Sequence, residues 1–260
     1  MSVLSHLDKL ARDLNIAENE AFKINRSLTT LESRIDRYFV NDVKQRFRFG
    51  SSVRKTMLPR IADQTSDVDY MVVFDNSNNY KPQTFMTKLK NFATTYYGSS
   101  EIYQSSPTIV LELEHIKFEL VPSYKSGIGF YIPAPRTAYT DWLYSDPTGF
   151  NADVDSANIN TKFLMKPSIR LIKYWNARNG IYSSYELEKT VIGTQYSYCN
   201  NVKEYFFLAV NLLPTYGLTE TNKRKVEGFK LKINEIKNNE RNGLLLTAEN
   251  EIKSLLPSIN

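Results

Sequence analysis

The chain has 260 residues, 42% of them hydrophobic, and a formal net charge of +5, which suits one large domain or two lobes with a substantial core. No apolar stretch is long enough to predict a membrane span, and the first residues lack the apolar core of a signal peptide. The single cysteine, Cys199, excludes an intramolecular disulfide and indicates a cytoplasmic protein. His6 and His115, the only two histidines, argue against a histidine-rich zinc site or a histidine-based triad.

The spacing of apolar residues predicts helices and strands along most of the chain. In chain order they are a helix over 18–39, strands over 46–49 and 68–74, a helix over 82–97, a hairpin over 108–121, and helices over 167–178, 202–213 and 246–256. Residues 122–160 contain four prolines and are predicted to be rich in loops.

Strands in the first part of the chain and helices in the second predict an α+β fold. We assign residues 1–150 to a sheet lobe with an N-terminal helix, and residues 151–260 to a helical lobe. The loop-rich stretch is expected to cross between the lobes, which would place an active site in their cleft.

Asp67 and Asp69 stand one residue apart at the start of a predicted strand. Residues i and i+2 of a strand point to the same face, so the two carboxylates are expected side by side. Like charges that close together favour a bound cation, and Mg²⁺ takes oxygen ligands while leaving positions open for phosphate oxygens. Two aspartates in this pattern also occur in calcium loops and surface turns.

Gly50, Ser51 and Ser52 follow the alternating strand at 46–49. Glycine permits a tight turn and the close approach of a phosphate, and a serine can cap a helix whose free N–H groups attract anions. A glycine–serine turn alone is common in loops. Its position before the paired aspartates, with strand patterns on both sides, favours a nucleotidyltransferase site.

A third acid is expected because phosphoryl transfer with two metal ions needs a further carboxylate ligand. The predicted hairpin contains Glu112, Glu114 and Glu119. Glu119 lies in the middle of the second strand among apolar neighbours, where an unpaired carboxylate would be costly. Glu112 and Glu114 are nearer the turn and are more simply explained as solvated, so we choose Glu119.

The stretch from Phe47 to Phe74, together with Ile116 to Pro122, resembles the bacterial cGAS/DncV-like nucleotidyltransferases. These belong to the same superfamily as animal cyclic GMP-AMP synthase and oligoadenylate synthetase. Residues 166–175 are similar to the Arg-x-x-Lys-x-Trp helix of oligoadenylate synthetase. Residues 184–188 are similar to the segment whose tyrosine stacks on a nucleotide base.

The resemblance implies a polymerase-beta-like sheet lobe in which Asp67, Asp69 and Glu119 hold two Mg²⁺ ions, for which Mn²⁺ can substitute. The family more often has aspartate where this chain has Glu119. Glutamate is longer by one methylene, so we expect the change to affect the catalytic rate more than the identity of the reaction.

The resemblance also implies a nucleotide-binding set, which consists of Gly50, Ser51, Ser52, Arg54, Arg170, Lys173, Ser184 and Tyr185. Arg170 and Lys173 are spaced i, i+3 on one helix face, where two cations could neutralise a triphosphate. Taken alone, that spacing is more typical of a solvated helix face. Tyr185, taken alone, would be interpreted as a core aromatic.

Asn158 and Asn160 precede the helix that carries Arg170, and an asparagine amide both donates and accepts at a base edge. We predict that at least one of them, or Ser156, contacts a nucleobase. The alternative is that both asparagines are ordinary loop residues.

Positions 221–241 hold seven basic and three acidic residues. This cluster could bind nucleic acid, but a solvated helix face explains it more simply. The chain lacks a cluster of zinc ligands, so we expect no DNA activator.

These observations predict a template-independent nucleotidyltransferase that builds a cyclic oligonucleotide, with a dinucleotide expected, from NTPs. The resemblance implies a role in antiphage defence, in which the product activates a separate effector. We expect a monomer that does not bind membranes. Two alternatives stay open: transfer of a nucleotide to a protein, RNA or small molecule, and nucleotide binding without catalysis.

Overall fold

The structure is a computed structural model that describes residues 2–134 and 141–259. Its elements, in chain order, are α1 (Val3–Asp13), α2 (Glu18–Phe39), β1 (Val43–Arg48), α3 (Ser51–Arg54), β2 (Asp67–Phe74), α4 (Pro82–Tyr97), β3 (Glu101–Ser105), β4 (Thr108–Leu113), β5 (Ile116–Ser126), β6 (Gly129–Pro133), β7 (Trp142–Ser145), α5 (Pro147–Asn160), α6 (Met165–Ala177), α7 (Ser184–Ile192), α8 (Val202–Asn211), α9 (Glu220–Arg241) and α10 (Leu245–Leu255). The predicted α+β class is confirmed.

The contacts within the chain divide it into two compact units. One consists of Ala17–Arg54 and Thr65–Ala152, and we call it the sheet unit. The other consists of Met1–Ile16, Lys55–Gln64 and Asp153–Asn260, and we call it the helical unit.

The sheet unit is built on one mixed sheet. In the described residues, β1, β2, β5, β4 and β3 lie side by side in that order, β6 pairs with β5, and β7 pairs with β6. Every pairing is antiparallel except that of β2 with β5, which is parallel. Residues 70–74 of β2 form a continuous buried run, and α4 packs against β3, β4 and β5.

The helical unit is organised around α6, in which residues 168–176 are all buried. Helices α1, α7 and α8 pack against α6, and α9 packs against α8 and α10. The Trp175 ring of α6 stacks on the Phe229 ring of α9 with a centroid distance of 4.1 Å. In the same unit, the His6 ring lies 2.8 Å from the carbonyl oxygen of Leu256.

The units differ from the predicted lobes in two segments. Residues 1–16 and 55–64 group with the C-terminal helices, whereas the sequence analysis placed them in the sheet lobe. The cause is burial: Leu7 and Leu10 of α1 lie in the helical core, and Thr56 is completely buried in the same unit. The spacing of apolar residues predicts neither α1 nor α7.

The prediction of a loop-rich stretch over 122–160 is wrong, because each of three prolines sits where regular structure tolerates it. Pro122 lies within β5, Pro133 ends β6, and Pro147 begins α5, where a missing N–H breaks no helical hydrogen bond. Pro135, which also supported the loop prediction, lies outside the described residues.

The basic cluster at 221–241 lies on α9, as a helix face exposed to solvent. Its apolar residues, such as Phe229 and Ile233, are buried, while lysines pair with glutamates three residues away, as in Lys230 with Glu227. Among the described helices, none has the length and apolar character needed to cross a membrane.

Candidate active site

The candidate active site lies on the sheet where β2 runs parallel to β5. In this register Asp67 is opposite Lys117, and Asp69 is opposite Glu119. Residues paired in register share a face of the sheet, so the three carboxylates lie on one face. Glu112 lies on β4 opposite Lys117, one strand farther from the aspartates. The geometry therefore brings together the three acids chosen from the sequence.

Lys117 lies between two of these carboxylates. Its ammonium is 3.2 Å from Asp67 Oδ2 and 3.2 Å from Glu119 Oε1. All three side chains are largely buried, with exposed fractions of 14% for Lys117, 29% for Asp67 and 25% for Glu119. A partly buried ammonium in this position neutralises part of a charge cluster that would otherwise repel itself.

Burial and the neighbouring charges shift the pKa values of both Glu119 and Lys117. Burial raises the pKa of Glu119, the charge of Asp67 raises it further, and Lys117 opposes both effects. For Lys117, burial alone would lower the pKa, but Asp67 and Glu119 outweigh burial and raise it. Lys117 is therefore charged at neutral pH, whereas Glu119 binds a proton more readily than a solvated glutamate does.

The donor set suits a divalent metal ion, because carboxylate oxygens are the ligands that Mg²⁺ and Mn²⁺ prefer. Asp67 and Glu119 already contact one common cation, the Lys117 ammonium. In the part of the chain that the structure describes, no three His, Cys, Asp or Glu side chains form a ready-made metal group. Asp67 and Glu119 therefore offer ligand oxygens of suitable chemistry, and a metal ion between them would have to displace the Lys117 ammonium.

Gly50 precedes this cluster and must be glycine for two reasons. Its φ of +74° lies in the left-handed region, and a Cβ atom built there would stand 1.8 Å from Asp69 Oδ2. The backbone N–H of the neighbouring Phe49 donates to the Asp69 carbonyl oxygen at 3.1 Å. The glycine turn is therefore packed directly against one of the proposed metal ligands.

The helix after this turn, α3, is a single turn. Ser51 is buried, and the Ser52 hydroxyl donates to the Phe49 carbonyl oxygen at 3.3 Å. Arg54 is buried too: its guanidinium lies 4.9 Å above the Phe150 ring and donates to Asn151 Oδ1 at 3.1 Å. These contacts hold Arg54 within the sheet unit, and its predicted phosphate contact stays a prediction.

Lys173, in the helical unit, forms an ion pair with a buried carboxylate. Its ammonium lies 3.1 Å from Glu188 Oε1, which also accepts a 2.7 Å hydrogen bond from the Thr56 hydroxyl. Lys173 is 6% exposed, and Glu188 and Thr56 are completely buried. The solvated-face alternative for Lys173 is thus wrong. Its predicted role in phosphate binding is untested, but Glu188 already neutralises its charge.

Arg170 lies in the same helix and has a different environment. Its guanidinium donates to the carbonyl oxygens of Lys55 at 3.0 Å and Ala11 at 3.1 Å, and its Nε is buried without a partner. Burial lowers the pKa of Arg170 to about 10. Within the described residues no carboxylate pairs with this arginine, but its side chain is only 5% exposed, and its predicted phosphate contact stays a prediction.

The asparagines proposed to contact a base are not loop residues. Asn158 and Asn160 lie in the last turn of α5, the helix that begins at Pro147. Asn158 is buried, and its side-chain oxygen accepts the Lys166 backbone N–H at 3.1 Å, which ties α5 to the start of α6. Asn160 and Ser156 are exposed. The structure thus gives Asn158 a structural contact instead of a free amide.

The residues with a predicted role in base stacking begin α7. Ser183 caps this helix by accepting the Glu186 N–H, Ser184 is the first helical residue, and Tyr185 is 52% exposed. Tyr185 is therefore not the core aromatic that its residue type alone would suggest.

Sequence reasoning assigned no role to Lys117, Thr56 or Glu188. The alternation on β5 does place Lys117 on the face of Glu119, which was a usable signal. Nothing in the sequence pairs Thr56 with Glu188, because the two residues are separated by more than a hundred positions.

Residues 1–158 match the family model described as the Second Messenger Oligonucleotide or Dinucleotide Synthetase domain. No curated protein matches the chain in sequence.

Several solved structures share the fold. An E. coli MS115-1 CdnC structure with ATP is 11% identical, covers 98% of this chain and 97% of its own, and has a TM-score of 0.76. CdnG of Bradyrhizobium diazoefficiens in complex with GTP is 11% identical over 97% of both chains, with a TM-score of 0.72. The Rhodothermus marinus CdnE c-UMP-AMP synthase is 18% identical, and the match covers 80% of this chain and 81% of the synthase, with a TM-score of 0.58.

The glycine turn generates a first prediction. We expect Gly50→Ala to destabilise the protein by at least about 2 kcal/mol, because the new methyl group meets Asp69 and the backbone is in the left-handed region. Gly127→Ala is a matched control: its φ is +61°, but no atom lies within 4 Å of the added Cβ. Urea denaturation of both variants gives the comparison. Equal losses would show that the contact with Asp69 is irrelevant.

The buried pair of Lys173 and Glu188 leads to a second prediction. We expect Lys173→Met to cost about 3–5 kcal/mol of unfolding free energy, since it removes a cation that lies 3.1 Å from a completely buried carboxylate. The double variant Lys173→Met/Glu188→Gln should recover much of this loss, and Lys189→Met, at an exposed position of α7, should cost little. Chemical denaturation measures all three, and a fully stable Lys173→Met variant would contradict the role of the pair.

Proposed function

Because the chain belongs to the family of Second Messenger Oligonucleotide or Dinucleotide Synthetases, we propose that Asp67, Asp69 and Glu119 are the catalytic carboxylates with which it joins nucleoside triphosphates into a cyclic oligonucleotide. Members of this family are nucleotidyltransferases that use divalent metal ions. The observation that carries the assignment is the parallel register of β2 and β5, which sets Asp69 opposite Glu119 and Asp67 beside it.

The proposed metal ions are two Mg²⁺, with Mn²⁺ as a substitute, held by Asp67, Asp69 and Glu119. When bound, they would supply charge neutralisation at the triphosphate and lower the pKa of the attacking hydroxyl. The residues of the chain position the ligands: the strands fix the carboxylates on one face, and Gly50 lets the turn approach Asp69 without a side chain between them.

We further propose that the turn of Gly50, Ser51 and Ser52 and the cation of Arg170 bind the triphosphate, and that Tyr185 stacks on a base. Tyr185 is 52% exposed, and Arg170, which is 5% exposed, pairs with no carboxylate among the described residues. We give Lys173 less weight, since Glu188 neutralises it. For base choice, exposed Asn160 and Ser156 are better candidates than buried Asn158.

The proposed substrates are nucleoside triphosphates, because related structures contain ATP and GTP. The product would be a cyclic dinucleotide that activates a separate effector in antiphage defence, a role that fits the family. The predictions of a monomer, of a cytoplasmic location and of a protein without a DNA activator stay predictions.

The aspartates give the first test of this function. We expect Asp67→Asn and Asp69→Asn each to lower product formation at least about 100-fold, because a metal ligand matters at least as much as the groups that orient it. Asp75→Asn is the matched control, since this aspartate follows β2 directly and pairs with Lys44 at 3.4 Å, outside the cluster. The assay uses labelled NTPs with Mg²⁺ or Mn²⁺ and no acceptor, followed by phosphatase.

The outcome of this assay separates the candidate functions. A phosphatase-resistant cyclic product that disappears in Asp67→Asn supports the proposal. Product only after an acceptor is added would support modification of that acceptor, and nucleotide binding without turnover would support a non-catalytic protein.

The third acid has a test of its own. We expect Glu119→Gln to be nearly as damaging as the aspartate variants and Glu119→Asp to keep or raise activity, whereas Glu112→Gln should be close to silent. The physical reason is register: Glu119 pairs with Asp69 on the adjacent strand, and Glu112 lies one strand farther away. An active Glu119→Gln together with an inactive Glu112→Gln would transfer the role to Glu112.

A further inference from the structure

Lys117 is a cation placed among the proposed metal ligands, and the function proposed above leaves it without a role. Its ammonium lies 3.2 Å from one oxygen of Asp67 and 3.2 Å from one oxygen of Glu119. The contact follows from the backbone, because Lys117 is opposite Asp67 in the β2–β5 register and two residues before Glu119 on the same strand face.

We infer that Lys117 is a positioning residue whose ammonium is the resident counter-ion of Asp67 and Glu119 in the metal-free protein, and that a divalent ion must displace it to bind. The inference rests on the proposed function, since it takes these carboxylates as metal ligands.

The Lys117 charge affects how strongly a divalent ion binds before and after the nucleotide does. Asp67, Asp69 and Glu119 together attract a dication strongly, but the ammonium cancels one of their charges at close range. The affinity of the nucleotide-free protein for a divalent ion is therefore reduced. Triphosphate oxygens add negative charge and so help the ion to displace the ammonium. Lys117 thereby links metal loading to substrate binding.

A lysine can serve this purpose because its charge sits at the end of a flexible four-carbon stem. The ammonium can leave the carboxylates without any movement of β5. The Lys117 side chain is 14% exposed, so it is largely removed from water by the site but is not sealed off from it.

The test measures Mn²⁺ binding to the metal-free full-length protein by electron paramagnetic resonance, with and without a non-hydrolysable NTP analogue. Lys117→Met removes the charge and keeps a stem of similar length. We expect this variant to bind Mn²⁺ at least about tenfold more tightly than the wild type in the absence of nucleotide. The strengthening of Mn²⁺ binding by the NTP analogue should be correspondingly smaller.

Thermal unfolding gives a second measurement that does not depend on turnover. Without divalent ions, Lys117→Met should melt below the wild type, because Asp67 and Glu119 then repel each other unrelieved. Saturating Mn²⁺ should raise its melting temperature more than that of the wild type.

Two further variants separate charge from structure. Lys117→Arg keeps a cation and should keep the weak Mn²⁺ affinity of the wild type within about twofold. Lys117→Gln keeps hydrogen-bond donors for the carboxylates and should show the tighter binding even where Lys117→Met folds poorly. Lys125→Met is the matched control, since Lys125 is exposed on the same strand, and its Mn²⁺ binding should equal that of the wild type.

The outcomes distinguish this inference from the proposed function. Mn²⁺ binding of equal strength in the wild type, Lys117→Met and Lys117→Gln would overturn the counter-ion role and leave the metal site intact. If neither the wild type nor the neutral variants bound Mn²⁺, with or without the NTP analogue, the metal site itself would be overturned, and the inference with it.

Discussion

The parallel pairing of β2 with β5 is the constraint on which the candidate site depends. It places Asp67, Asp69 and Glu119 on one face of the sheet, and it fixes them on backbone that cannot spread apart to relieve their repulsion. Two residues allow the carboxylates to lie this close together. Lys117 puts an ammonium between Asp67 and Glu119, and the absence of a side chain at Gly50 leaves room for Asp69. The sheet thus holds a group of like charges, and the Lys117 ammonium offsets part of the repulsion between Asp67 and Glu119.

The helical unit also contains a buried carboxylate that is paired with a lysine. Glu188 is completely buried, and Lys173 and the Thr56 hydroxyl satisfy the same carboxylate oxygen. Breaking such a pair is costly because it leaves one charge alone in the protein interior, although the intact pair adds little net stability. Because Thr56 belongs to the segment of residues 55–64, this network ties that segment to α6 and α7 within the helical unit. Arg170 holds the same segment through the carbonyl oxygen of Lys55.

The sequence predicted what depends on local pattern. Alternation placed Asp67, Asp69 and Glu119 on strands, and helical spacing located α2 and α4 to the residue. It failed where a side chain's role depends on a distant partner. Spacing put Arg170 and Lys173 on one helix face but could not show that α6 is buried on nearly all sides. Prolines suggested loops before Asn158, although the strand and helix positions that tolerate proline were equally consistent with them. Lys117 was visible on the right face, but its two contacts required the register between β2 and β5.

The most direct measurement of the central claim is a crystal structure of the protein with Mn²⁺ and a non-hydrolysable NTP analogue, in which anomalous scattering locates the metal. We expect Mn²⁺ bound by carboxylate oxygens of Asp67, Asp69 and Glu119, the triphosphate beside the turn at Gly50, and the Lys117 ammonium moved away from the carboxylates. Mn²⁺ bound elsewhere on the sheet, for example at Glu112, with Lys117 still between Asp67 and Glu119, would contradict the account.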